Sequence, residues 1–121
     1  MASVYVIDDS KFIRDRLSRN LMEKIKTVRL KTAEDFNDVK VGMVDFSPDV
    51  IIVDIQLKEG TGFDVLRYIR ETGIKPFIVV LTNYSIQPYR EKALDLGADY
   101  FFDKSNEFHK AIDVIEKHVT T

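Results

Sequence analysis

The sequence contains no cysteine. Disulfides, thiolate metal sites and cysteine nucleophiles are excluded together, and the composition fits a reducing cytoplasm. Nor is there an excess of positive charge: 18 Lys and Arg stand against 20 Asp and Glu, a net charge of −2. Autonomous nucleic-acid binding needs a concentrated basic surface, so direct contact with nucleic acid is not expected. No run approaches the ~18 consecutive apolar residues of a membrane helix. The start, Met1-Ala2-Ser3, lacks the basic-then-apolar pattern of a signal peptide. No linker, low-complexity stretch or long charge block breaks the chain.

What is present suits a globular protein: 45% of the residues are apolar and 31% charged. A length of 121 residues fits one domain that buries roughly two thirds of its unfolded surface. The expectation is a single cytoplasmic domain over residues 1–121.

A short apolar run, a turn cluster and an amphipathic segment follow one another repeatedly. The runs are Val4-Tyr5-Val6-Ile7, Val50-Ile51-Ile52-Val53, Phe77-Ile78-Val79-Val80-Leu81 and Tyr100-Phe101-Phe102. Short runs of β-branched and aromatic residues bounded by Asp, Pro, Gly or Asn predict strands buried on both faces of a parallel sheet. Residues 27–31 alternate, with Val28 and Leu30 between Arg29 and Lys31, as an exposed edge strand does. Between the runs, helical spacing links Ile13, Leu17 and Leu21; Phe36, Val39 and Met43; and Phe63, Leu66 and Ile69. It also links Ile86, Tyr89, Ala93 and Leu96, and then Phe108, Ile112, Ile115 and Val119. Gly73 and Gly97 are placed to end the third and fourth helices as left-handed caps. The pattern predicts an α/β fold, a (βα)5 doubly wound five-stranded parallel sheet.

On that scaffold the chemical residues converge. Asp8 and Asp9 follow the first strand, Asp54 the third, Thr82 the fourth and Lys104 the fifth. All these strand ends lie on one rim, where open α/β sheets bind ligands. Strand order 2-1-3-4-5 makes strands one and three neighbours ~4.8 Å apart, so Asp9 and Asp54 can share a ligand; order 3-2-1-4-5 would hold them roughly 10 Å apart. Order 2-1-3-4-5 is therefore expected. Two carboxylates 4–5 Å apart repel by about 3–4 kcal/mol at an effective dielectric near 20. A proton or a cation must relieve them, and an all-oxygen site with open positions suits Mg2+. With an ammonium and a hydroxyl nearby, this is equipment for phosphoryl transfer, with Asp54 as nucleophile forming an aspartyl phosphate.

Over essentially its whole length the chain resembles the receiver domain of two-component response regulators, in the stand-alone form similar to the chemotaxis regulator. The residues that carry the resemblance are Val6-Ile7-Asp8-Asp9-Ser10, Val53-Asp54-Ile55-Gln56-Leu57 with Gly62 beyond, Val80-Leu81-Thr82, and the stretch from Gly97 through Asp103 to Lys104. The resemblance implies a flavodoxin-like fold and a phosphohistidine donor, on a sensor histidine kinase or a histidine phosphotransfer protein. It implies Mg2+ held by Asp9, Asp54 and the backbone carbonyl of Gln56, with Asp8 acting through water. Lys104 would pair with the phosphoryl oxygens, Thr82 would move to bond one, and Phe101 would rotate inward as the switch. The α4-β5-α5 face would then bind an unknown downstream protein, with Tyr89, Arg90, Tyr100 and Phe101 near it. The implied module catalyses only its own phosphorylation and dephosphorylation and carries no output domain.

Three positions depart from the family pattern. Leu57-Lys58 stands where Met-Pro is frequent, Asn83 follows Thr82 where a small residue is typical, and Lys104-Ser105 replaces Lys-Pro with its cis bond. Asn83, Tyr84 and Gln56 are expected to crowd an attacking water and slow dephosphorylation. The geometry of the bond before Ser105 stays open, since a cis bond there costs ~2.5–4 kcal/mol.

Plainer readings apply to several residues. Asp-Asp before a helix is commonly an N-cap with charge that suits the helix dipole, and Ser10 fits the cap itself. Gly60-Thr61-Gly62 lacks the fuller glycine pattern of a nucleotide loop and reads as a turn. His109 and His118 read as solvated residues of the last helix, and the aromatic run at residues 100–102 as mostly core. Two other functions compete: a receiver fold that docks partners without phosphorylation, and a small Mg2+-dependent phosphohydrolase with an aspartate nucleophile. The complete set of Asp8, Asp9, Asp54, Thr82 and Lys104 weighs against the first. Against the second, such hydrolases usually place the nucleophile after the first strand as Asp-x-Asp, and here that strand ends Asp8-Asp9-Ser10.

Overall fold

In a computed structural model, which describes residues 1–120, the apolar runs become strands and the amphipathic segments become helices. The elements alternate as β1 (Ala2–Ile7), α1 (Lys11–Lys24), β2 (Val28–Ala33), α2 (Phe36–Phe46), β3 (Val50–Val53), α3 (Gly62–Thr72), β4 (Phe77–Thr82), α4 (Gln87–Asp95), β5 (Tyr100–Asp103) and α5 (Phe108–Thr120). The five strands form one parallel sheet in the order β2-β1-β3-β4-β5. This is the doubly wound order expected from the need to bring β1 and β3 together.

Alternation along each strand divides the core into two layers. Tyr5, Ile7, Ile51, Val53, Ile78, Val80 and Phe101 pack with Val39 and Met43 of α2, Leu66 and Ile69 of α3, and Ala93 of α4. On the other face Val4, Val6, Ile52, Val79, Leu81 and Phe102 pack with Leu17 and Leu21 of α1 and with Ile112 and Ile115 of α5. Helices on both faces leave the strand ends as the open rim of the sheet.

The helix starts follow local chemistry. Ser10 Oγ accepts from the Ile13 N–H at 3.3 Å, and Asp35 Oδ1 from the Asp38 N–H at 2.9 Å. Thr61 and Asp64 cap α3 reciprocally, satisfying two amides that the helix leaves unpaired. α4 has no side-chain cap and begins instead with Pro88 in its first turn.

Some sequence expectations shift. β2 runs two residues further than the alternation suggested, because the Ala33 carbonyl accepts from the Asp8 N–H at 3.0 Å and so extends the pairing with β1. β5 is an edge strand, as the expected order requires, and Tyr100, expected in a strand buried on both faces, is 42% exposed and stacked on Phe102. His118 is not merely solvated: its ring stacks on Phe77 with centroids 4.1 Å apart. Among the described residues every peptide bond is trans, including the one before Ser105.

Candidate functional site

Register places the acidic residues. Ile7 and Val53 are paired partners at the ends of β1 and β3, so Asp8 and Asp54 leave the sheet side by side. Their backbones are tied to it: the Asp8 N–H donates to Ala33, and the Asp54 N–H to the Ile7 carbonyl at 3.0 Å. At the far side β5 ends with Asp103 opposite Thr82, and the Lys104 N–H donates to the Thr82 carbonyl at 2.9 Å. From there the Lys104 side chain reaches over the rim. Its Nζ donates to Asp8 Oδ2 and to Asp54 Oδ2, each at 2.7 Å.

Asp8 and Asp54 are 2% and 6% exposed, whereas Asp9 faces solvent. One carboxylate oxygen from each of the three lies within 4.8 Å of the others. Asp8 Oδ1 accepts from the Ser10 N–H at 2.9 Å, and Asp54 Oδ1 from the Gln56 N–H at 3.4 Å. Burial pushes the Asp8 carboxyl above its ordinary range, against the Lys104 and Ser10 hydrogen bonds. Burial pulls the Lys104 ammonium down, but its bonds to Asp54 and Asp8 outweigh that and hold it above the usual lysine value.

Three carboxylates against one ammonium leave an excess of negative charge at the rim. The donors are all hard oxygens and Asp9 is open to solvent, a set that fits Mg2+ and lacks the imidazole or thiolate that softer metals favour. Beside them lies a cleft of about 310 Å3 lined by Asp9, Asp54, Gln56, Asn83, Tyr84 and Lys104 among others.

The structure thus brings together Asp8, Asp9, Asp54 and Lys104, with Gln56, Asn83 and Tyr84 around the same opening. Thr82 is fully buried and lies outside the cleft lining; its Oγ1 accepts from the Tyr84 N–H at 3.1 Å. Strand alternation puts Thr82 and Phe101 on one face of the sheet, since Thr82 pairs with Asp103 and Val80 with Phe101. Phe101 is 3% exposed, so its ring already sits inside, and Arg90 Nη1 donates to its carbonyl at 2.9 Å. Of the four residues expected near the α4-β5-α5 face, Arg90 and Tyr100 are exposed, while Tyr89 packs edge-on against Phe63. Two supporting residues were missed from sequence. Arg14 Nη1 donates to the Asp8 carbonyl at 2.8 Å, and Ser105 Oγ to Asn83 Oδ1 at 3.3 Å. A basic residue in the first turn of the helix after an acidic pair was an available signal for Arg14; nothing local signalled the Ser105 contact.

The family model for the response regulator receiver domain matches residues 4–116. The chain belongs to this family. Receiver domains are modules of two-component signalling, and relatives agree. Sensory transduction protein LytT of Enterococcus faecalis is 28% identical over 114 residues, covering 94% of this chain and 46% of that protein. Protein-glutamate methylesterase/protein-glutamine glutaminase 1 of Myxococcus xanthus is 32% identical over 114 residues, covering 94% of this chain and 32% of that enzyme. The chain spans less than half the length of the curated relatives it matches. The signal receiver domain of a DNA-binding response regulator from Colwellia psychrerythraea superposes with a TM-score of 0.91 at 22% identity, covering all of both chains. The beryllofluoride-activated receiver domain of DrrB gives 0.87 at 23%, covering 100% of this chain and 99% of that one. At that identity the two structures show the fold alone. Among the described residues no helix of this receiver domain is long and apolar enough to cross a membrane.

Proposed function

We propose that this receiver domain accepts a phosphoryl group on Asp54 and in that form presents its α4-β5-α5 face to a protein target in the cytoplasm. The observation that carries the reading is the Lys104 ammonium bridging Asp8 and Asp54 at 2.7 Å within a three-carboxylate cluster. A docking surface alone has no need of two carboxylates buried against one lysine.

Asp54 attacks the phosphorus of a phosphohistidine on a sensor histidine kinase or phosphotransfer protein. The phosphorus–nitrogen bond breaks, the donor imidazole leaves with that electron pair, and Asp54 carries an acyl phosphate. Lys104 is already at the acceptor carboxylate and neutralises charge on the incoming oxygens, and the buried Thr82 hydroxyl is the donor a small displacement would bring to them. Asp9, Asp54 and the Gln56 carbonyl would hold Mg2+, with Asp8 acting through water; the ion supplies charge neutralisation of the transferring group. Phosphorylation biases the domain only through contacts that differ between its two states. Thr82 and Phe101 share a sheet face and Arg90 joins α4 to β5, which supports a path from rim to output face.

Two-dimensional amide NMR tests this with Mg2+ and then beryllofluoride, a phosphoryl mimic, on wild type and Asp54→Asn. The proposal expects metal shifts around Asp9 and Asp54. With beryllofluoride in wild type alone, they should spread to Thr82, Phe101 and α5. Metal shifts without that spread would favour a docking module whose state phosphorylation does not set.

A further inference from the structure

The two loops at the mouth of the cleft are fastened to each other by side chains. Thr82 pairs with Asp103, and the Lys104 N–H continues that pairing to the Thr82 carbonyl, so residues 83–86 and 104–107 leave the sheet in parallel. Ser105 Oγ donates to Asn83 Oδ1, and Ser85 Oγ to Asp103 Oδ1, both at 3.3 Å. Asn83 lines the cleft with Asp54 and Lys104; Ser105 does not. An exposed Asn samples several rotamers, and a hydrogen bond from a backbone-anchored hydroxyl narrows that choice. With Oδ1 engaged, the Nδ2 hydrogens remain for whatever stands in the cleft.

We propose that Ser105 is a positioning residue acting through Asn83: it holds the Asn83 amide at the mouth of the cleft beside Asp54 and so slows hydrolysis of the Asp54 acyl phosphate. This rests on the phosphoacceptor reading above. In that hydrolysis a water oxygen bonds to phosphorus while the bond from phosphorus to the Asp54 oxygen breaks. Asp54 returns as carboxylate, and both water hydrogens leave on the inorganic phosphate. A side chain fixed at the mouth occupies volume the water must cross, whereas a freely rotating one vacates it part of the time.

The test loads wild type, Ser105→Ala, Asn83→Ala, the double variant and Ser105→Thr from acetyl phosphate with Mg2+, then follows phosphoprotein decay after the donor is removed. Ser105→Ala should decay about two- to fivefold faster, the scale of losing one surface hydrogen bond. Asn83→Ala and the double variant should decay alike, and Ser105→Thr should restore the wild-type rate. In metal-free protein, the Asn83 side-chain amide signals should move towards free-amide positions in Ser105→Ala while the backbone signals of Asp54 and Lys104 stay. An unchanged decay in Ser105→Ala, or an effect of the same size in the Asn83→Ala background, overturns the proposal while leaving Asp54 as phosphoacceptor. A wild type that takes up neither acetyl phosphate's phosphoryl group nor beryllofluoride overturns both.

Discussion

Lys104 Nζ lies 2.7 Å from Asp54 Oδ2 although 50 residues separate them in the chain. The sheet order makes this meeting possible. β3 and β5 are separated only by β4, so the lysine spans the end of one strand, roughly 10 Å between backbones, which only a long side chain bridges. Thr82 ends the strand that is crossed, which is why a hydroxyl belongs to the same neighbourhood.

Lys104→Met keeps the stem and removes the charge. It leaves Asp8 and Asp54 facing each other under cover, an uncompensated buried pair. Urea denaturation at pH 7 without Mg2+ should show a loss of about 3 kcal/mol. Adding Mg2+ should recover part of it, because the cation replaces the missing positive charge. A loss below about 0.5 kcal/mol would mean that this bridge contributes no more than an exposed ion pair does.

Asp9 is the exposed member of the cluster and has no ion-pair partner among the described residues, so its charge is the one an added cation relieves most cheaply. Wild type should gain thermal stability with Mg2+, by about 1.4 kcal/mol at ten times the dissociation constant. Asp9→Asn should be up to about 1 kcal/mol more stable than wild type without metal, since repulsion is removed. It should also lose most of its Mg2+ response. A variant that still responds fully would place the metal elsewhere.

How much of this was legible follows from which residues act locally. The runs at Val50-Ile51-Ile52-Val53 and Phe77-Ile78-Val79-Val80-Leu81 are read correctly because both faces of the central strands are buried, so every residue carries the signal. Asp8, Asp54 and Lys104 are legible because strand ends share a rim, and the requirement that Asp9 and Asp54 meet selects the strand order. Tyr100 is misread as core because its aromatic run looks like that of a central strand, although the expected order 2-1-3-4-5 already puts the fifth strand at an edge. His118 is exposed as expected, but its stacking on Phe77, 41 residues away, leaves no local signal. The inward face of Phe101 follows from strand alternation with Val80, but the Arg90 bond to its carbonyl comes from α4 and leaves no periodic trace.

Tyr5 gives the fold a signature at high pH. Its ring is fully buried; burial and then the nearby Asp38 charge push its hydroxyl up to about 12 from 10.0. A raised value means that the unfolded chain releases this proton first. The stabilisation is therefore fully present below about pH 10 and is lost as pH rises towards 12. Wild type should lose about 2–3 kcal/mol more than Tyr5→Phe across that window. Below it the difference between them should be constant and small, because the hydroxyl's bond to the Asp38 carbonyl is 3.4 Å long. Denaturation midpoints of both proteins at stepped pH check this, and parallel profiles would remove Tyr5 as the cause.

Gly62 and Gly73 open and close α3, and replacing each by Ala should fail for different reasons. At Gly73, with φ of 79°, an added Cβ meets nothing within 4 Å, so Gly73→Ala costs only the left-handed strain, about 1–2 kcal/mol. At Gly62 the same atom would overlap the Asp54 carbonyl oxygen and come within 3.0 Å of Ile55 Cα. The Gly62 N–H also donates to the Ile55 carbonyl at 2.7 Å, so the helix start cannot retreat without breaking a backbone bond. Gly62→Ala should therefore cost about 1–3 kcal/mol and displace the backbone that carries the Asp54 carboxylate. Mg2+ titration separates the two: Gly73→Ala should bind as wild type does, and Gly62→Ala more weakly. Equal affinities would show that the backbone at Asp54 tolerates the shift, and that glycine at residue 62 serves packing alone.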